Sequence, residues 1–405
     1  MSLIVMKFGG SSVGTPEKIL TAAERVVEKK GRNNRIVAVV SAPGDMTDDL
    51  IEMADKINPS PSDREMDMLL STGEQVSIAL LTMAITKFGK KAISLTGPQA
   101  GIFADTTHTK ARILTIEPKK IVSQLKRGQV VIVAGFQGLN PNNDIATLGR
   151  GGSDLTAVAL AAVLKADVCE IYTDVDGIYT ADPRLCRDAV KIAEISYDEM
   201  LELAGSGAQV MQSRSIEVAK KFNVTIHVRS TFSHKTGTII KKEALKMEDV
   251  IVSGVAYNKF EVKLSIEKVP DQPGVAACIF SAMAKAGINV DMIIQSAAHG
   301  MNNDISFTIP RGDLRKALPV LTQVKKKLNA RSVVHDDHVS KVSIVGVGMR
   351  SHPGVAARMF TALSKARINI EMISTSEIRI ACIVKQDKLE KAVKVLHKEF
   401  KLNKK

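Results

Sequence analysis

The chain has 405 residues, of which 45% are apolar and 24% charged. At roughly 100–200 residues per domain this length suggests two to four domains, with cores that need neither disulfides nor a structural metal. The net charge of +13 raises a nucleic-acid reading, but the charge is uneven. Residues 1–240 carry 28 Lys+Arg against 27 Asp+Glu, and residues 241–405 carry 28 against 16. With 4% aromatics and no Trp there is little surface for stacking bases. The runs Lys325–Lys327 and Lys394, Lys398, Lys401, Lys404 and Lys405 therefore read as solvated helix faces and a tail, and no nucleic-acid partner is expected.

Cys169, Cys186, Cys278 and Cys382 are far apart and form no CxxC or Cys/His pattern, as expected of reduced thiols in a cytoplasmic protein. Met1 to Phe8 is apolar but too short for a signal peptide, and no later run is expected to reach a membrane span.

Taken in order, Leu3–Met6, Ile36–Val40, Ala92–Leu95, Val130–Ala134, Glu170–Tyr172 and Thr225–Val228 read as strands. Glu17–Lys30, Gly73–Phe88 and Thr156–Leu164 read as helices between them. Continuous apolar strands alternating with helices predict an α/β layer structure with a mainly parallel sheet covered on both faces. The region beyond about residue 245 is a duplication with an offset of 80. Over residues 273–293 against 353–373, 13 of 21 positions are identical, beginning with Pro273-Gly274-Val275-Ala276-Ala277 and Pro353-Gly354-Val355-Ala356-Ala357. Each copy reads as βαββα, the ferredoxin-like pattern.

Two glycine-rich loops each precede a helix. Lys7-Phe8-Gly9-Gly10-Ser11-Ser12-Val13-Gly14 follows the first strand; its spacing is neither GxxxxGK[ST] nor GxGxxG. Its backbone N–H groups and Lys7 suit an anion, while a tight turn is the plainer alternative. Thr147-Leu148-Gly149-Arg150-Gly151-Gly152-Ser153-Asp154 places a guanidinium among three glycines, a second candidate anion nest. Asp174 and Asp176 follow another strand and would hold magnesium or nucleotide hydroxyls, or only cap an Asx turn. Glu74 is placed at the start of a helix.

Together these segments resemble the aspartokinase family. The marks are the Lys7–Val13 loop, Ser71-Thr72-Gly73-Glu74, Gly135-Phe136-Gln137-Gly138, Thr147–Asp154, Tyr172–Gly177, Tyr179–Arg184 and the two Pro-Gly units, which look like tandem ACT domains. The resemblance implies a three-layer αβα amino-acid-kinase domain over residues 1–245, then ferredoxin-like (βαββαβ) ACT units over 246–336 and 337–405. It implies transfer of the γ-phosphoryl group of ATP, with Mg2+, to the side-chain carboxylate of L-aspartate, the first step of lysine, threonine and methionine biosynthesis. Lys7 and Asp154 would be catalytic. Thr47, Glu74, Arg150, Gly151, Gly152 and Ser153 would bind aspartate, with Arg150 on the α-carboxylate and Glu74 on the α-ammonium. The nucleotide would meet Lys7, Phe8, Gly9, Gly10, Ser11, Ser41, Thr173, Asp174, Tyr179, Asp182, Arg184, Gln209 and Val210. Ser11 and Gln209 depart from the Thr and Lys usual in the family. No resident metal ligand is implied.

Lysine, threonine or both would act as effectors. One effector site would use Asp271, Pro273, Gly274, Val275, Ala276, Asn289, Val290, Asp291 and Gln295. The other would use Asn369, Ile370, Ser376 and Glu377, with Glu371 in the same run. A homodimer or larger assembly through the ACT units is implied. Another kinase of this fold, acting on glutamate-like acids, carbamate or a nucleotide, and an amino-acid sensor with a degenerate kinase domain are the alternatives.

Overall fold

The computed structural model describes residues 2–31, 33–208, 210–243, 251–296 and 302–403. Gln209 and the junction around Met247 lie outside the described residues. The chain divides into two compact units, though not by a single cut: Tyr179–Val190 and Gly205–Ala208 pack with Lys246–Lys405 rather than with their sequence neighbours.

The first unit opens with β1 (Leu3–Phe8), the single turn α1 (Gly10–Val13), α2 (Pro16–Lys30), β2 (Arg35–Val40), α3 (Met46–Ile57) and α4 (Asp63–Lys87). It continues through β3 (Ala92–Leu95), β4 (Ile102–Ala104), β5 (Ile113–Ile116), α5 (Lys119–Lys126), β6 (Val130–Ala134), β7 (Gln137–Leu139) and β8 (Ile145–Thr147). Then come α6 (Gly152–Leu164), β9 (Val168–Thr173), β10 (Glu194–Ser196), α7 (Tyr197–Gly205), α8 (Ser213–Phe222), β11 (Ile226–Ser230) and β12 (Thr238–Lys241).

Eight of these strands form one sheet in the order β10-β12-β11-β9-β1-β2-β6-β3, parallel except where β11 meets β12. The expected mainly parallel sheet is therefore present. A small sheet β5-β4-β7-β8, which periodicity did not show, lies beside it in the same unit. Its strands are three or four residues long, too short to carry a readable pattern. β1 sits centrally, with Lys7 in register with Val39 of β2 and Ile171 of β9. Met6 and Phe8, Ile36 and Val40, and Ile78, Leu81 and Ile85 of α4 share one core cluster.

Helix α4 corrects two sequence expectations. It begins at Asp63, where Ser62 caps the N–H of Glu65, so Glu74 lies in mid-helix rather than at a helix start. Gly73 concealed this, because glycine usually weakens a helix interior. Here a Cβ on Gly73 would stand 2.7 Å from Cβ of Ala42, so glycine lets the helix approach the loop after β2. Helix α4 is also long and apolar enough to cross a membrane by length and composition, contrary to the expectation that no run reaches that threshold. Half of that stretch is buried inside the protein, as in a core helix.

The second unit contains β13 (Gly254–Pro270), α9 (Val275–Lys285), β14 (Ile293–Gln295), β15 (Asn302–Pro310), α10 (Leu314–Leu328), β16 (Ser332–Val345), α11 (Val355–Lys365), β17 (Met372–Thr375), β18 (Arg379–Lys385) and α12 (Leu389–Glu399). Among the described residues its six strands make one sheet, β14-β15-β13-β16-β18-β17. The long central strands each serve both repeats. Lys263–Glu267 of β13 pairs with Ser332–Asp336, whereas Gly254–Asn258 pairs with Lys341–Val345, with register shifts between the halves. The fourth strand of the second repeat thus comes from ahead of the first repeat, which completes two βαββαβ units. Some exposed lysines of this half lie at helix C-termini: Lys326 and Lys327 close α10, and Lys398 closes α12. There they offset the negative end of the helix dipole, a local reason for part of the positive excess.

Candidate active site

The loops after β1, β2, β6 and β9 meet at the carboxyl ends of neighbouring parallel strands. The chain leaves β1 toward β2 on one side and reaches β9 on the other. Such a switch point is where open α/β sheets bind ligands. Lys7, at the end of β1, pairs with Asp154 at 2.6 Å; the two side chains are 12% and 9% exposed. Asp154 lies in the first turn of α6, where the positive end of the dipole favours a carboxylate. Beneath them Phe8 and Tyr172 stack at 4.9 Å.

The first glycine-rich loop is tightly held. Gly9 donates to the Tyr172 carbonyl at 3.2 Å, so this N–H is not available to an anion as the sequence suggested. Gly10 and Ser11 begin α1, where N–H groups lack an intrahelical acceptor. A Cβ on Gly10 would lie 2.9 Å from the carbonyls of both Ala42 and Gly44, and Gly44 donates to the Gly10 carbonyl at 3.0 Å. The loops after β1 and β2 are thereby locked together. Ser41 donates to the Phe8 carbonyl at 3.1 Å.

Glu74 reaches the same place from α4. It is 3% exposed, and Oε1 accepts the Ala42 N–H at 3.1 Å. Its Oε2 is buried with no hydrogen-bond partner among the described residues. Burial pushes its carboxyl up to about 7, with the Ala42 N–H pulling the other way. A buried carboxylate with a bare oxygen is ready to take a cationic hydrogen-bond donor.

The second glycine-rich loop stands beside α6. Gly149 and Gly151 have φ of 79° and 74°, which favour glycine. Ser153 is buried and packs on Gly135, while Thr47 is half-buried in the first turn of α3. The Arg150 side chain is 91% exposed and approaches Asp48 at 3.4 Å. Thr173 donates to the exposed Asp174, and Asp176 is taken by Ser233 and Lys235. Val210 is half-buried in the first unit.

Tyr179, Asp182 and Arg184 belong to the second unit. There Arg184 grips Asp182 with two nitrogens and Tyr257 donates to Asp182 at 2.8 Å, which holds its carboxyl below the usual range. Of the expected effector residues, Gly274 precedes α9 with φ 95° and Val275 is buried. Asp271, Pro273, Ala276, Asn289 and Gln295 are exposed, and Val290 is half-buried. Asp291 pairs with Lys341, and Glu377 pairs with Arg350 at 2.7 Å. Ser376 accepts the Ile378 N–H. Asn369 and Ile370 line an open depression of about 510 Å³ with Phe360, Ser364, Arg367 and Ile368.

Sequence reasoning passed over two buried acids. Glu170 is the hub for Lys29, Arg229 and the Tyr172 hydroxyl under the site. Asp67 is fully buried on α4. An acid inside an apolar strand was the available signal for Glu170; Asp67 offered none.

Comparison with known proteins agrees with this architecture. The profile of the amino acid kinase family matches residues 2–230, and that of the ACT domain matches residues 262–324 and 342–400. The aspartokinase of Pseudomonas aeruginosa is 51% identical over 405 residues, covering 100% of this chain and 98% of that protein. That of Mycolicibacterium smegmatis is 50% identical over 407 residues, covering 99% and 97%. Aspartokinase III of E. coli, solved with aspartate and ADP in an R-state, is 23% identical with a TM-score of 0.84 over 98% of this chain and 99% of that one, and it shares the fold.

Proposed function

This chain belongs to the aspartokinase family, and from that premise we propose that it transfers the γ-phosphoryl group of ATP to the side-chain carboxylate of L-aspartate at the carboxyl end of β1. The observation that carries the reading is the Lys7–Asp154 pair at the switch point of the sheet. The attacking group is a carboxylate, ionised at neutral pH, so no general base is needed. Its oxygen bonds to the γ-phosphorus as the bond to the β-phosphate oxygen breaks, and ADP leaves. The obstacle is repulsion between two anions. Catalysis is therefore chiefly positioning and neutralisation of charge on the transferring group, the work assigned to Lys7 and the N–H groups of Gly10 and Ser11.

Asp154 orients the Lys7 ammonium. The carboxylate oxygens of Asp154 and Asp174 suit magnesium, which takes oxygen donors and would arrive with ATP to neutralise its phosphates. Glu74 accepts the substrate α-ammonium on its bare Oε2, and Arg150 binds the α-carboxylate as a bidentate fork. Thr47, Ser153 and the backbone of Gly151 and Gly152 complete the aspartate contacts. Ser41, Thr173, Asp174 and Val210 serve the nucleotide.

We assign the ACT repeats to feedback by lysine, threonine or both, in a cytoplasmic homodimer or larger assembly. The first turns of α9 and α11, each entered through a Pro-Gly turn, supply N–H groups for an amino-acid carboxylate. Binding there inhibits by favouring a state with poorer substrate affinity.

Trapping the acyl phosphate with hydroxylamine tests the reading. Hydroxamate should form with aspartate, ATP and magnesium, and not with succinate, which lacks the ammonium group that Glu74 reads. Lysine, threonine or the pair should lower it. Equal hydroxamate from succinate would remove the role of Glu74. Activity indifferent to both effectors, with no heat of binding in calorimetry, would remove the regulatory assignment.

A further inference from the structure

We propose that Asp67 is a positioning residue for the amino-acid substrate: by clamping the loop that carries Arg150, it fixes where that guanidinium stands relative to Glu74. This inference rests on the substrate roles given above to Arg150 and Glu74.

Asp67 is 0% exposed on α4. A carboxylate so buried is costly unless its oxygens are bonded. Its Oδ1 accepts the Thr147 hydroxyl, both oxygens accept the Thr109 N–H at 3.1 Å, and Oδ2 accepts from His108 Nδ1 at 2.7 Å. These donors come from two separate segments, the connection between β4 and β5 and the end of β8. Thr147 leads directly into Leu148-Gly149-Arg150-Gly151.

Other contacts fix the same loop. The Thr147 carbonyl accepts the Ala111 N–H at 2.9 Å, and Arg214 spans the Leu148 carbonyl at 2.8 Å and the Ala111 carbonyl at 3.0 Å. Gln212 donates to the Arg150 carbonyl. The Arg150 side chain itself is exposed, so its starting position is set by its backbone. What holds the loop therefore places the guanidinium.

Asp67 and Glu74 are seven residues apart on one helix. At 3.6 residues per turn and 1.5 Å per residue they share a face about 10 Å apart along the axis. One rigid element thus carries the acceptor for the α-ammonium and the clamp for the loop that meets the α-carboxylate. The helix acts as a common reference for both ends of the amino acid.

Asp67→Asn keeps the shape and removes the charge and one acceptor. The KM for aspartate should rise about 10- to 100-fold, as small misplacements of a binding group do. The KM for ATP should stay within about threefold, since the clamp does not touch the nucleotide loops. If Asp67→Asn does not fold, Thr147→Val removes one donor, and Thr147→Ser should restore the aspartate KM. In an Arg150→Ala background either variant should add little, because both act through the same group.

A parallel rise in both KM values, or full additivity with Arg150→Ala, overturns the positioning role. If Arg150→Ala raises the aspartate KM while the Asp67 and Thr147 variants leave it normal, this inference alone fails. If Arg150→Ala itself leaves the aspartate KM normal, the role of Arg150 fails and takes this inference with it.

Discussion

Lys7 in the first unit and Lys341 in the second are both nearly withdrawn from solvent, with side chains 12% and 2% exposed. Their surroundings differ in kind. Lys341 meets Asp291, Glu261 at 3.5 Å and the Gly205 carbonyl at 3.2 Å, three acceptors for three donors. Among the described contacts Lys7 meets one carboxylate, at the open end of a strand. A saturated ammonium serves the fold, while one with donors to spare can serve a ligand. The same contrast separates Glu170, taken by Lys29, Arg229 and Tyr172, from Glu74 with its bare oxygen.

The largest expected effect on stability is at the saturated lysine. Lys341→Met strands Glu261 as a buried charge and should cost about 3–5 kcal/mol in urea unfolding. The double variant Lys341→Met/Glu261→Met should recover most of it. A small loss in the single variant would mean that Lys341 is no more structural than Lys7.

Glu74 should behave in the opposite way. Its carboxyl is raised from 4.5 to about 7 by burial. Below pH ~4.5 it is protonated in both folded and unfolded chains. Between 4.5 and 7 only the unfolded chain ionises it, so stability falls as pH rises, by up to roughly 3 kcal/mol at about 1.4 per pH unit. Glu74→Gln should therefore stabilise the protein at pH 8, change little at pH 4.5, and raise the aspartate KM. In the unmodified chain aspartate affinity should increase as pH rises through about 7, where the carboxylate proposed to accept the ammonium forms. A pH-independent KM between 6 and 8 contradicts this.

The smallest effect sharpens the comparison within the second unit. Lys263 meets Glu371 at 2.9 Å, but both side chains are partly exposed, at 24% and 18%. Lys263→Met should cost about 1 kcal/mol, well below Lys341→Met, because water screens the pair.

The sequence made legible what periodicity and spacing encode: the continuous apolar strands, the glycine-rich loops at their ends, and the 80-residue duplication. It also singled out Lys7, Glu74, Arg150 and Asp154, all of which fall in the first unit. It could not show that Glu74 lies in mid-helix, because Gly73 reads as a breaker until the close approach of Ala42 is seen. Nor could it show that Gly9 spends its N–H on Tyr172. Asp67 was invisible because its partners at 108, 109 and 147 are brought to it only by the fold. The crossed pairing of β13 with β16 was hidden for a similar reason, since each long strand looks like the start of a single repeat.

The central claim is that Lys7 acts on the transferring phosphoryl group at the end of β1. Steady-state hydroxamate formation by Lys7→Ala, with its thermal unfolding measured alongside, tests it most directly. Turnover should fall about 100-fold or more with the KM for aspartate within about threefold, in a protein that still unfolds cooperatively but at a lower melting temperature, because Asp154 loses its partner. Near-normal turnover in a folded Lys7→Ala protein would contradict it.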